Sequence, residues 1–341
     1  MKKSSILIIT LLLALSAIAV YFYKHKSGST TVDKEASNFP VKDTASIDKI
    51  FLADKEGKSV LLEKTKEGWM LEKKYHVRPD AITLLLYTIK MVEVQSPISV
   101  SGKKNVIKIM SSKSTKIEIY SKGEKIKQYY VGHTTQDHLG TYMLLTNLET
   151  GENYADPFVT HIPGFDGFLT TRYNTDELDW RDRLVMSFRP PQLKQIKLEL
   201  HEMQDSSFVL DLISMQRFSL KNKKGVQISF DEAKLKQYIA YFQNINCEVV
   251  LQKNDQLVDS LAKSALPFAT LTVTDRNDQK FVCDFFHKQS VQSKNEQYGV
   301  NYKYDPDRLF IRYNNGKDYG VAQFYVFGKI LQTYKYFIKE K

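Results

Sequence analysis

From Ile47 onward the chain alternates short apolar stretches with turn dipeptides. Ile50 to Leu52, Val60 to Lys64 and Trp69 to Leu71 read as strands, with Glu56-Gly57 and Glu67-Gly68 as the turns of an antiparallel meander. Pro79-Asp80 then opens a helix in which Ile82, Leu85, Leu86, Ile89 and Val92 recur at the three-and-four spacing of one buried face. Strands are expected again at Val106 to Met110, Lys116 to Ser121 and Ile126 to Val131, the last two joined by a Lys122-Gly123 hairpin. Tyr142 to Leu145 adds another before an apolar segment, Phe158 to Phe168.

The same order starts over at Leu193. Ile196 to Leu200, Ser207 to Leu212 and Arg217 to Leu220 repeat the meander, with Phe218 standing where Trp69 stood. Asp231 opens a helix whose Leu235, Tyr238, Ile239, Phe242 and Ile245 match the first at an offset of 153. Ala269 to Thr274 and Lys280 to Phe286 mirror the paired strands, Leu309 to Arg312 mirrors Met143 to Leu145, and Phe324 to Leu331 mirrors Phe158 to Phe165. An offset drifting from about 150 to 166 through one order of elements predicts a tandem duplication. The expected fold class is α+β: two modules, residues 47–190 and 191–341, each an antiparallel sheet with a packed helix, with Pro190-Pro191 at the boundary.

The first 46 residues follow a different pattern. Ile6 to Tyr23 is a run of 18 in which only Thr10 and Ser16 are polar, flanked by Lys2, Lys3, Lys24 and Lys26. That length is at the lower limit for a helix crossing the ~30 Å hydrocarbon layer, and Tyr21, Phe22 and Tyr23 suit the interface. Residues 1–26 are therefore expected to be a transmembrane helix or signal anchor. Ala17-Ile18-Ala19 leaves open the alternative of a cleaved signal peptide. Either route carries the large part of the chain outward, and the Met-Lys-Lys start makes that space a bacterial periplasm, with the chain single-pass in the inner membrane. Residues 27–46, rich in Ser, Thr and charge, read as a flexible tether.

Composition narrows the classes further. With 42% hydrophobic and 26% charged residues in 341, the chain is globular, and two cysteines, Cys247 and Cys283, exclude a zinc ribbon or a disulfide scaffold. In an oxidising space the two thiols are candidates for a disulfide, or else stay buried and free. The net charge of +10 divides as +3 over residues 1–46, +2 over 47–190 and +5 over 191–341, so no region forms the concentrated basic stripe that nucleic acid requires. Lys103 to Lys127 carries eight Lys against Glu118 and Glu124. It suits either phosphate contacts or a solvated edge guarded by lysines.

Several motifs carry a resemblance to a known family. These are the Trp69 strand followed by Pro79-Asp80 and a helix, Tyr129-Tyr130-Val131-Gly132, Gly140-Thr141-Tyr142-Met143, and Asp179-Trp180-Arg181-Asp182-Arg183. In this order they resemble bacterial envelope proteins classed as domain of unknown function 4340, over Ile47 to about Arg189 and in outline beyond. The resemblance implies an α+β module, a periplasmic address and association with transport or surface machinery, and no established activity. The second half departs from it, having Phe286-His287 for the Gly-His pair and no Arg-Asp-Arg.

Candidate chemistry concentrates between Tyr130 and Tyr142, with His133, Asp137, His138 and several Thr and Gly. A catalytic reading needs a nucleophile beside one His, and a peptidoglycan-acting thiol enzyme needs a cysteine that this half lacks. A metal reading joins His133, His138, Asp137 and His161, although zinc ligands are ordinarily spaced more tightly. A hairpin loop explains the same residues through turn geometry. Phe165 sits in a Pro- and Gly-rich aromatic turn. Arg172-Tyr173 and Trp180-Arg181-Asp182-Arg183 combine cations with aromatics, as binding hot spots or as a salt-bridged junction.

The expected role is therefore non-enzymatic and without cofactor or metal: a membrane-anchored scaffold or accessory subunit of an envelope transport or secretion assembly, with a membrane-protein partner. A module binding a cell-wall fragment or glycan is the alternative, and an enzyme acting on peptidoglycan comes third. The residues expected to make contacts are His133, Tyr142, Phe165, Arg172, Tyr173, Trp180, Arg181 and Arg183, with Trp180, Tyr173 and Tyr142 exposed along a groove if the ligand is a glycan.

Overall fold

A computed structural model describes residues 34–252, 255–291, 296–297 and 299–339. The expected anchor over residues 6–23 lies outside the described residues; among those described, no helix is long and apolar enough to cross a membrane. The chain divides into two units, residues up to Glu177 and residues from Leu178. Both are mostly antiparallel sheet with a few helices, an α+β arrangement.

In the first unit the strands are β1 (Ile47–Ala53), β2 (Ser59–Thr65), β3 (Gly68–Leu71), β4 (Tyr75–His76), β5 (Glu93–Pro97), β6 (Thr115–Ser121), β7 (Glu124–Thr134), β8 (Thr141–Leu145) and β9 (Phe158–His161). Among the described residues they form one nine-stranded sheet in the order β4-β3-β2-β1-β6-β7-β8-β9-β5. Alternation sets its faces: Ile50 and Leu52 of β1 and Ile117 and Ile119 of β6 are buried, and Ile47, beyond the bulge at Ile47/Lys49, is buried too. Helix α1 (Pro79–Met91) starts at the predicted proline and buries Ile82, Leu85, Thr88 and Ile89.

The segment Val106 to Met110 is helical, not a strand. It lies inside α2 (Val100–Ser112), whose Ser99 cap accepts from the Gly102 amide and whose buried residues, Val106 and Met110, are one helical turn apart. Its apolar run is short enough to fit either period, and the cap decides it. The lysine-rich stretch is accordingly part helix and part sheet, and much of it is paired: Lys116 and Lys125 with Glu118, Lys103 with Asp156, and Lys127 with the Asn38 carbonyl.

The expected tether is shorter than residues 27–46. Ala36 and Phe39 are buried, and the Phe39 ring meets Tyr129 and Phe158 edge-on at 6.1 and 6.3 Å. An aromatic side chain in that cluster ties residues 36–41 to the sheet, as does the Val41 amide bonding to the Ile89 carbonyl.

In the second unit the strands are β10 (Leu184–Met186), β11 (Leu193–Leu200), β12 (Phe208–Leu212), β13 (Phe218–Asn222), β14 (Ile245–Asn246), β15 (Val249–Val250), β16 (Ala269–Asp275), β17 (Lys280–Gln289), β18 (Tyr304–Tyr313) and β19 (Asp318–Gln323). The larger sheet has the order β13-β12-β11-β16-β17-β18-β19-β15, which repeats the first sheet from β3 to β5 strand for strand. The registers agree as well. Ile50 pairs with Ile119 as Ile196 pairs with Val273, and both first strands carry a bulge at the same point, Ile47/Lys49 and Leu193/Gln195. Helix α3 (Glu232–Ala240) is capped by Asp231 as expected, and its Leu235, Tyr238 and Ile239 pack into the sheet core. Helix α4 (Gln256–Lys263) covers a separate cluster with Phe286, Phe310 and Tyr319.

One expected correspondence shifts. Phe158 pairs with Met143 as Gly320 pairs with Ile311, so β9 matches β19; Phe324–Phe327, expected to match it, is a helical turn after that strand. The division falls at 177/178 rather than at Pro190-Pro191, because β10 pairs with β14 and Arg181 with Asp318 inside the second unit.

Candidate functional site

The first unit holds a cleft of about 550 Å³ where four segments converge: the turn after β1, the α2–β6 junction, the end of β7 and residues 168–175. β7 delivers Gly132 and His133, and α2 hands the chain to β6 through Ser114. Gly132 is required by close approach: a Cβ there would stand 2.8 Å from Met110 Cγ and 3.1 Å from the Tyr142 carbonyl oxygen.

Two polar atoms of this cleft lack a partner. Ser114 is 8% exposed, and neither its Oγ nor the buried Nδ1 of His133 bonds to any protein group. Leaving a buried hydroxyl unpaired costs about 1–3 kcal/mol, so such atoms are ordinarily satisfied. Burial also pushes the His133 imidazole below its ordinary pKa of 6.5, which keeps it neutral at pH 7 with one nitrogen donating and one accepting. Its ring lies 4.8 Å from that of Tyr142, tilted by 48°.

The remaining walls are already bonded. Asp54 accepts from Thr175 Oγ1 at 2.6 Å and from the amides of Glu56 and Lys58; burial opposes ionisation, but these bonds outweigh it and lower the pKa. Thr170 Oγ1 donates to the Gly132 carbonyl at 3.1 Å. Tyr173 forms part of the floor, its hydroxyl 3.2 Å from that of Tyr129.

Five expected contact residues belong to this unit. His133, Tyr142 and Tyr173 gather at or beside the cleft, while Arg172 stacks its guanidinium 4.2 Å over the Phe165 ring and donates to Thr88 Oγ1 at 3.0 Å. Tyr173, expected to be exposed, is 1% exposed, because its ring packs edge-on against Tyr129 in the core. Trp180, Arg181 and Arg183 belong to the second unit. Trp180 is buried at 3%, not exposed along a groove, and Arg181 is ion-paired to Asp318. Arg183 has a buried Nε without a hydrogen-bond partner, and its carbonyl accepts from the Cys247 amide.

The other candidate chemistry resolves into structure. Thr135 Oγ1 and the Leu139 amide donate to Asp137, and the Gly140 amide donates to Thr135 Oγ1, which accounts for the loop as a tight hairpin. Among the described residues no three His, Cys, Asp or Glu side chains cluster closely enough for a metal ion. Both cysteines are free and buried; burial pushes the Cys247 thiol up to about 11 and Cys283 well above its usual range. Ser114 was not singled out from the sequence. The strand assigned to 106–110 concealed that Ser111 to Thr115 joins a helix to a strand, and with it Ser114's position on the cleft that His133 also lines.

Compared with known proteins, the chain matches no family model, no curated protein and no solved structure.

Proposed function

We propose that this chain is a non-enzymatic binding protein of the bacterial envelope. Residues 6–23 hold it in the inner membrane as a single pass, and two tandem α+β modules, products of duplication, stand in the periplasm. It acts as an accessory subunit of a transport or secretion assembly, and its part is to hold a ligand in the first module's cleft. The resemblance to domain of unknown function 4340 supports the address; the matched strand orders and bulges support the duplication.

The observation that carries the binding role is the pair of unpartnered buried atoms, Ser114 Oγ and His133 Nδ1, on two residues that line one cleft. A ligand in the cleft toward which these two side chains turn would supply the partner that each atom lacks. Catalysis is the weaker reading because a base must reach its nucleophile, and neither of these atoms bonds to the other or to any other protein group.

The test is a photo-crosslinking side chain at Thr171, an exposed residue of the cleft wall, in the full-length chain in intact cells. The chain should fractionate with inner membranes, be cut by protease only in spheroplasts, and acquire an adduct that the Ser114→Phe variant lacks. A protease-resistant chain in spheroplasts would overturn the address, and no Ser114-dependent adduct would overturn the binding role.

A further inference from the structure

The second unit contains the same corner of the sheet, differently filled. Thr115 pairs with Val131 as Ala269 pairs with Phe285, a constant step of 154 residues, so Ser114 corresponds to Phe268 and His133 to His287. His287 is covered on both faces: Phe268 stacks at 4.4 Å and 24°, and Tyr304 at 3.9 Å and 5°. Its Nε2 is 2.9 Å from Glu202 Oε1, on the turn after β11. The histidine kept at this register is thus stacked between two rings and bonded in one unit, and in the other lines a cleft with its buried Nδ1 unpartnered.

The chemistry of the open copy indicates its occupant. The lining carries Lys55 and Lys113 as well as Asp54 and Glu56, so formal charge in the cleft balances and favours no net anion or cation. A neutral imidazole and a serine hydroxyl each donate and accept, which suits groups that do the same. Phe168 adds apolar surface of the kind that meets C–H faces. From these features we infer that the first unit's cleft is a single site for a neutral, hydroxyl-rich ligand of the saccharide class, whose second copy is closed by Phe268. This rests on the binding role proposed above and names its ligand class.

The site is tested by calorimetric titration of the full-length chain, kept in a detergent without a sugar headgroup. The neutral probes are N-acetylglucosamine trimer and maltotriose, and the anionic probes are inorganic phosphate and acetate. A neutral trisaccharide should bind once per chain. Ser114→Phe, which writes the second unit's residue into the first, should abolish binding. The milder Ser114→Ala and His133→Ala should weaken it about tenfold, the expected loss of one hydrogen bond in a buried site. His287→Ala should leave it unchanged, and melting curves of all variants separate lost binding from lost folding. Phosphate or acetate binding with the same dependence on Ser114, in place of sugar, would overturn the ligand class while the binding role stands. Two sugars per chain, or loss of binding in His287→Ala, would overturn the single open copy. No heat with either trisaccharide would overturn the saccharide class, and the Thr171 adduct then decides whether the cleft binds anything.

Discussion

Arg181 donates from Nη2 to Asp318 Oδ1 at 2.7 Å, with the two side chains only 9% and 11% exposed. A chain segment that reads as a binding motif is thereby an internal brace of the second unit, and it explains why the division falls before Trp180 rather than at the paired prolines. Removing one partner of a buried pair leaves the other charge without compensation. Arg181→Ala is expected to lower stability by about 3 kcal/mol in chemical denaturation. The exposed pair Lys197–Glu199, at 42% and 41%, should cost under about 1 kcal/mol when broken. Equal losses at the two sites would contradict this account.

The Tyr129 and Tyr173 hydroxyls, 3.2 Å apart, are buried with their rings at 90°. Burial raises the pKa of both, so both stay protonated and one donates to the other. Tyr129→Phe keeps the packing and deserts one hydroxyl, for an expected loss of about 1 kcal/mol. A melting temperature identical to wild type would show that the pair adds nothing.

Acid should weaken the first unit through His133. Burial holds its folded-state pKa below the ordinary 6.5, so on acidification the unfolded chain takes up the proton first. The stability this gives is present above about pH 6.5 and is lost as pH falls through the folded-state pKa. Wild type should therefore lose more stability between about pH 7.5 and 5 than His133→Gln does, in paired melts. A steeper loss in the variant would contradict the sign.

The two thiols should be silent in the native protein. With Cys247 pushed up to about 11 and Cys283 higher, both buried, neither offers thiolate at pH 7–8. A maleimide or disulfide reagent should label neither before denaturant is added and both afterwards. Fast native labelling of Cys247 would reopen a thiol chemistry for the chain.

How far the sequence carried these conclusions depended on which signals are local. Period-two alternation in Ile50 to Leu52 and Lys116 to Ser121, and the three-and-four spacing after Pro79, found the sheet strands and α1, because each buries one face and must repeat at its own period. α2 was lost because Val106, Ile107, Ile109 and Met110 fit both periods, and the Ser99 cap that decides it is a single residue. The strands β5 and β15 escaped because their edge pairing is fixed by distant partners, β9 and β19, and not by their own pattern. Of the site, His133 and Tyr173 were legible as residue types. Ser114 was not, since its burial follows from a helix-to-strand junction, and the burial of Trp180 depends on packing that no aromatic-plus-cation motif encodes.

The central claim is that one copy of a repeated histidine corner is open to ligand and the other is closed. It is read most directly from the imidazole nitrogen resonances of the full-length chain, assigned with His133→Gln and His287→Gln, as N-acetylglucosamine trimer or maltotriose is added. The account predicts that His133 shifts and saturates while His287, stacked between Phe268 and Tyr304, stays fixed. A shift at His287, or none at His133, would contradict it.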